Sequence, residues 1–591
     1  MALPNRKVYT GNSRRLLLAF DIGTTFSGIS YSILDPGTVP EIRPVTRYPS
    51  QEQVGGDSKI PTVIYYDAMG KSCAIGAETL KEGIETDAEE NGWNIARWFK
   101  LHLRPKKPAA AGRPNPNEPE LPPLPPNKTV EQVLTDFMRY LRECAKIYIA
   151  ETHGDRLWAS LEGDIMYVLT HPNGWEGQQQ AQMRRAAVCA GLTPNGEEAN
   201  ERITFVTEGE ASLHFCISNG LAVSQTDTGV LIVDAGGGTI DITAYRKLSQ
   251  QTFEEISVPS CHFQGGAYVT MRAEKHFKNL LAGSRFFHDV DVLTSRFDRN
   301  TKHVFRREDE PHHIQFASHR ERDAALNIRG GRLTLAGRDV AAFFQPSIDA
   351  IVQAIKDQRA AAHFPIKSVF LVGGFSASNW LCDKVRRAIE PLGVAVSRPD
   401  SHVNKAVSNG AVSFYLDSAV SSRVSRFTYG VECQTLYRPS IPQHLSRAHL
   451  VETCTATGRC MLSRCFSTIL PKNERVSEMK EYRCDYSYIL SSATPVGVTS
   501  YEILSYNGTS LSPTFVDDEP SNFPTTCVVH ADLSVVPPEL CYSPTTGRPY
   551  YMVKFDVVLL FGLTELKAQV AYRDCNGTER RSAAKVVYEG P

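Results

Sequence analysis

LLLAFDIGTTFSG, Leu16 to Gly28, and VLIVDAGGGTIDIT, Val230 to Thr243, are two copies of one pattern. Each is an apolar run, an Asp, a Gly/Thr turn and a second strand-like run, so the chain reads as a duplicated lobe. Glycine lets the backbone approach an anion closely, and successive N–H groups in such a turn form a nest for phosphate oxygens. Thr24 and Thr25 after Gly23, and Thr239 after Gly236, Gly237 and Gly238, add hydroxyl donors. Asp21 and Asp234, each at a strand end, can hold Mg²⁺ through water, as magnesium prefers. One such turn alone reads equally well as an ordinary tight hairpin. Two, each led by an apolar strand and an Asp, point to a phosphate cradle.

A third element, VFLVGGFS from Val369 to Ser376, is a strand, a double glycine and a helix start. Gly373, Gly374 and Phe375 there can face a ribose or adenine edge, although many α/β turns look the same. Competing nucleotide and hydrolase motifs are missing. Gly70, Lys71 and Ser72 lack the first glycine of a P-loop, because position 65 is Tyr. There is no G-x-S-x-G elbow and no H-E-x-x-H. His312 and His313 read as a solvated loop.

The 591 residues allow three to five domains. Apolar content of 42% and charged content of 22% are those of a globular protein. A net charge of −1 gives no basic field for nucleic acid. No run approaches about 18 apolar residues, so no membrane span is expected. MALPNRK, Met1 to Lys7, lacks a signal core, and the expected location is the cytoplasm or nucleus. The 14 Cys are then expected as free thiols. Eight follow residue 425, none spaced C-x-x-C, and zinc is not expected. The sequons at Asn127, Asn507 and Asn576 carry no meaning without a secretory route.

Periodicity supplies the rest. Residues 62–66 read as a strand, and Pro105 to Pro126, with nine prolines in 22 residues, as an exposed insert. Thr129 and Gln132 make a capping box for a helix carrying Val133, Leu134, Phe137 and Leu141. Residues 165–170 are a strand, and a helix runs from about Gln178 to Ala190, stopping at Gly191. Residues 339–358 read as a helix that Pro346 kinks or truly starts. Beyond about residue 420 helical periodicity fades into β-type runs such as YMVKFDVVLLF, Tyr551 to Phe561.

The two turns with the third element resemble the actin-like ATPase superfamily, and more finely the heat shock protein 70 family. DIGTTFS (Asp21 to Ser27), IVDAGGGTID (Ile232 to Asp241) and LVGGFS (Leu371 to Ser376) look like its two phosphate motifs and its adenosine motif. Thr170, His171 and Pro172, TEGEA (Thr207 to Ala211) and VNKAVSNGA (Val403 to Ala411) resemble its connecting segments, in the family's order. WFKL (Trp98 to Leu101), LKAQVA (Leu566 to Ala571) and AKVVY (Ala584 to Tyr588) resemble the divergent member-twelve branch, widespread in fungi.

The resemblance implies an α/β fold: a two-lobed actin-like ATPase domain of duplicated β/α lobes around a nucleotide cleft, followed by a β-rich C-terminal domain. The expected boundaries are a tail at 1–15, lobe I at 16–225 with the insert at 105–126, lobe II at 226–418, and the β-rich domain at 427–591. It implies ATP or ADP with Mg²⁺ as cofactors, with Asp21 and Asp234 holding the hydrated metal. Lys100 would counter charge at the γ-phosphate, while Glu208 and Asp241 would orient water. Gly265, Gly266, Gly373, Gly374, Phe375 and Asn404 would complete the nucleotide site, and unfolded clients and co-chaperones would be partners. Lys100 on a surface helix and Glu208 as a solvated loop carboxylate are the plainer readings.

The chain also departs from that family. Ala377 stands where an adenine-stacking Arg is usual, Asn404 where Asp is, and Gln180 where Arg is. FDRNTK, Phe297 to Lys302, lacks the adenine-side spacing. SAVSSRVSR, Ser418 to Arg426, replaces the Leu-rich linker, the segment after it is short for a sandwich plus helical lid, and the acidic terminal motif is unmatched. Three functions are therefore weighed: a slowly hydrolysing chaperone-like Mg-ATPase, a nucleotide-dependent interaction scaffold with little turnover, and a small-molecule kinase of the same superfamily.

Overall fold

The structure is a computed structural model and describes residues 6–51, 58–105, 120–175, 177–194, 196–219, 228–249, 252–399, 405–477, 480–561 and 565–586. Asn404, most of the Pro-rich insert and the end of AKVVY lie outside these residues. The chain divides into two compact units, Met1–Trp175 with Gln182–Val420, and Glu176–Ala181 with Ser421–Pro591.

The first unit is built twice from one plan. Strand β1 (Arg15–Ile22) turns into antiparallel β2 (Phe26–Leu34). After helix α1 (Val130–His153), strand β3 (Ile165–His171) returns parallel to β1. Strand β4 (Ile203–Thr207) lies beyond it, giving the order Arg43–Pro44, β2, β1, β3, β4. Helix α2 (Gln178–Cys189) precedes β4, and Gly191 at φ +78° follows it. The second copy follows helix α3 (Glu208–Ser218). Strand β5 (Gly229–Ala235) turns into antiparallel β6 (Ile240–Lys247), then β7 (Phe253–Glu255). Helices α4 (Gly266–Leu280) and α5 (Gly337–Ala361) precede β8 (Ile366–Val372), which lies parallel to β5. Helix α6 (Asn379–Ile389), strand β9 (Ala395–Ser397) on β8, and helix α7 (Ala406–Asp417) complete the unit.

Strands β1 and β5 are buried along almost their whole length. That is why they read as continuous apolar runs rather than alternating ones: both faces of each sheet are covered. One core joins Phe20, Tyr167 and Leu169 to Val133, Phe137 and Leu141 of α1. Another joins Val233, Ile242 and Leu371 to Phe277 of α4 and Phe344, Ile348 and Ile355 of α5. Helix α1 begins at the expected capping box, where Gln132 N–H donates to Thr129 Oγ1 (3.2 Å) and Thr129 N–H to Gln132 Oε1 (2.9 Å).

Helix α5 corrects one expectation. It starts at Gly337 and runs through Pro346, which therefore is not its start. Phe343, Phe344, Ile348 and Ile351 are all buried, and that packing outweighs the hydrogen bond a proline removes. Arg272 of α4 donates to Phe343 O (2.7 Å) in the same turn.

In the second unit, Thr428–Leu436 pairs with Cys460–Leu470 and Val498–Tyr506, and the latter with Thr525–Asp532. A separate sheet pairs Glu481–Leu490 and Leu566–Arg573 on either side of Pro549–Phe561. Leu470, Ile503 and Val529 of the first sheet share one apolar core with Val553, Val557 and Val570 of the other. Among the described residues after 421, the α-helix is the four-residue Pro442–Leu445.

Candidate functional site

The two Gly/Thr turns are hairpin loops, and they touch. A Cβ on Gly237 would lie 2.2 Å from Thr25 Oγ1, and one on Gly238 2.2 Å from Thr24 Oγ1. Only glycine allows that approach. Behind the second turn, the start of α4 holds it in place: Gly265 N–H donates to Gly238 O (3.1 Å), Gly266 N–H to Gly236 O (3.1 Å) and Ala267 N–H to Gly237 O (2.7 Å). Gly236 N–H closes on Thr239 O (2.9 Å). Gly265 and Gly266 thus bond to the turn's carbonyls.

Each hairpin places an Asp at the end of its first strand, Asp21 opposite Gly28 and Asp234 opposite Asp241. All three carboxylates are buried. Asp21 Oδ2 accepts from Lys59 Nζ at 2.6 Å and Oδ1 from Thr170 Oγ1 at 3.1 Å. Asp234 Oδ2 accepts from Ser212 Oγ of α3 at 2.7 Å. Burial, then the Glu208 and Asp21 charges, push the Asp234 carboxyl up to about 7. Asp241 Oδ1 accepts from the Asn173 N–H at 2.6 Å, while its Oδ2 is buried and meets the hydrogen-bond distance of no partner among the described residues. Burial and the neighbouring Glu208 and Asp234 hold this carboxyl well above the ordinary range.

Lys100 and Glu208, far apart in sequence, form a buried pair with Nζ–Oε1 2.6 Å. A surface lysine and a solvated loop carboxylate are both ruled out, since the two residues are only 3% and 7% exposed. Lys100 sits in the 3₁₀ turn Phe99–Leu103, which follows Trp98 at φ +54°. Its ammonium lies 5.6 Å from the centre of the Trp175 ring. Glu208 is the first residue of α3, where Thr207 caps the helix by accepting from Glu210 N–H (3.1 Å). The helix N-terminus favours its charge.

The third element is the edge of this cluster. Gly373 has φ +84°, and a Cβ there would lie 2.2 Å from Asp234 Oδ1. The Gly374–Ala377 segment is a 3₁₀ turn rather than an immediate α-helix. The Phe375 ring is buried, stacks on Phe344 (5.9 Å) and covers Gly266. Beside Ala377, the Arg398 guanidinium donates to Ser376 O (3.1 Å) and Ala377 O (3.4 Å). Residues Phe297–Thr301, within FDRNTK, form a π turn. Within it Asp298 bonds Thr270 and Lys302.

Lys59, Asn173 and Ser212 are the residues that motif reading missed. Asn173 follows Pro172, and its side chain donates to Thr243 Oγ1 (3.0 Å) and Ser260 O (3.2 Å). Lys59 belongs to no motif. The one signal for it is Gly28, which leaves the position opposite Asp21 without a side chain.

A mixed α/β build of several sheets, with two equivalent aspartate-bearing hairpins, is consistent with an actin-like ATPase fold of the heat shock protein 70 type. No protein-family model matches the chain. Heat shock 70 kDa protein 12B of Homo sapiens is 23% identical over 566 residues, covering 80% of this chain and 78% of that protein. Heat shock 70 kDa protein 12A of Mus musculus is 23% identical over 515 residues, covering 70% and 72%, and the Homo sapiens 12A protein matches to the same extent. These similarities, at 23% identity over 70–80% of the chain, support a divergent relative of the heat shock protein 70 family.

Proposed function

We propose that residues 16–418 form a two-lobed Mg-ATP- and ADP-binding core that hydrolyses ATP slowly, with lobes at 16–225 and 226–418 and a β-rich domain at 427–591. The observation that carries this reading is the facing pair of hairpins, Thr24 and Thr25 against Gly237 and Gly238, with buried carboxylates behind them.

The donor set fits a hydrated divalent cation. Four carboxylates, Asp21, Glu208, Asp234 and Asp241, meet two ammonium groups, Lys59 and Lys100, and Asp241 Oδ2 has no hydrogen bond among the described residues. Mg²⁺ bound through water by Asp234 and Asp21 would neutralise charge on the phosphates. The hairpin N–H groups and the hydroxyls of Thr24, Thr25 and Thr239 would hold the phosphate oxygens. Lys100, fixed by Glu208 and Trp175, would face developing negative charge. Glu208 and Asp241 would orient a water, and the raised Asp241 carboxyl is suited to take its proton. Gly373, Gly374 and Asn404 would meet the nucleoside.

Phosphate release by the wild type and by Lys100→Ala, alongside ATP-binding calorimetry, tests this. Binding with release that Lys100→Ala lowers by about 10²-fold or more is expected. No ATP binding, with or without Mg²⁺, overturns it. Binding without release instead supports the interaction scaffold, which gains from the strand Val420–Val424 standing where a Leu-rich linker is usual. Phosphate transfer to a metabolite would favour the kinase. Unfolded clients, co-chaperones and a cytoplasmic or nuclear location belong to the same proposal.

A further inference from the structure

Asp21 already holds a cation. Lys59 Nζ lies 2.6 Å from its Oδ2, and the two side chains are 16% and 4% exposed. The arrangement is built rather than incidental. Ile60–Pro61 pairs with Ser27 and Phe26, Thr62 N–H donates to Thr25 O (2.9 Å), and the Ser27 and Thr62 hydroxyls bond at 2.7 Å. The segment carrying Lys59 is therefore fastened to the first hairpin itself. From there its stem crosses β2 over Gly28, whose added Cβ would stand 3.1 Å from Lys59 Cγ. Gly28 is the residue opposite Asp21 in the ladder, so the vacant side-chain position is the lysine's route to the carboxylate.

Asp234 and Asp241 are served differently. Among the described residues they bond a hydroxyl and a backbone N–H rather than an ammonium. Of the three aspartates, Asp21 is thus the one that bonds an ammonium among the described residues, while Lys100 is taken up by Glu208.

We propose that Lys59 is a built-in counter-ion which takes over part of the metal's work at Asp21 and contacts the phosphates of a bound nucleoside polyphosphate, so that binding depends little on Mg²⁺. This rests on the nucleotide-binding reading above. A tethered ammonium is in place before the nucleotide arrives, whether or not the nucleotide brings a metal with it.

The test is calorimetry of ATP binding to the full chain, in excess Mg²⁺ and in excess EDTA, for wild type, Lys59→Met and Lys59→Arg. Circular dichroism and melting curves of each variant report on folding. The wild type is expected to bind within about 3-fold in the two conditions, and Lys59→Met to lose about 10-fold or more in EDTA and recover in Mg²⁺. Lys59→Arg is expected to stay near wild type in EDTA. Wild-type binding that collapses in EDTA overturns the proposal while leaving nucleotide binding intact. So does a folded Lys59→Met with wild-type affinity in EDTA. Absence of binding by the wild type in either condition overturns the nucleotide reading, and this assignment with it. Should Lys59→Met not fold, the wild-type comparison decides alone.

Discussion

His171 ends the central strand β3 fully enclosed, its Nδ1 2.9 Å from Pro172 O. Burial first, and then the Lys100 charge, push its imidazole down to about 4. A base depressed in the fold contributes stability above its ordinary pKa and loses it as pH falls toward the folded value. The unfolded chain takes up a proton near pH 6.5 that the folded chain refuses until about pH 4. This residue therefore withdraws on the order of 3 kcal/mol across that window. Denaturant titrations of His171→Phe and wild type should show the difference between them shifting toward the variant as pH falls from 6.5 to 4. A second residue works in the opposite sense. Asp234 must ionise in a buried cluster, so Asp234→Asn should raise the ligand-free melting temperature at pH 8 while weakening ATP binding by about 10-fold or more. A variant that binds as wild type would contradict the role given to this carboxylate.

At the scale of elements, α3 and α7 cross with their backbones close together at Gly410 and Ala211. A Cβ on Gly410 would stand 1.8 Å from Ala211 O. Backbone does not yield as a flexible side chain does, so Gly410→Ala must separate the helices. The expected cost is about 1–3 kcal/mol, read by chemical denaturation. Thr129→Ala, which removes one half of the α1 capping box, should cost about 1 kcal/mol. What could be read from the chain follows the range of each interaction. The hairpins of Asp21 and Asp234 and the α1 cap were legible because glycine, threonine and the cap close within a few residues. Lys100 and Glu208 were placed by resemblance, and their pairing across the fold is a tertiary fact. Lys59 is announced only by the missing side chain at Gly28, because its partner Asp21 stands far away in the sequence, on β1. Helix α5 is legible over 339–358, and of the two readings of Pro346 the structure removes only the one that starts the helix there, because the phenylalanines around it are buried.

The whole molecule comprises two units with apolar cores of their own, one set around β1 and β5 and the other around Ile503, Val529 and Val557. Chains built of more than one compact unit commonly depart from a single two-state transition. Differential scanning calorimetry is expected to resolve two transitions. ATP should raise only the one belonging to residues 1–420, since a ligand stabilises the unit that binds it. A single transition that moves as a whole with ATP would mean that the units melt together.

The three hydrogen bonds from the start of α4 to the second hairpin have a mechanical meaning. Helix α4 has 15 residues and so reaches about 22 Å from its fastening. Swung by about 5°, a rod of that length carries its far end through about 2 Å. A displacement of the hairpin would therefore be felt first at the start of α4 and, were the helix to move as a rod, be largest at its far end near Lys278.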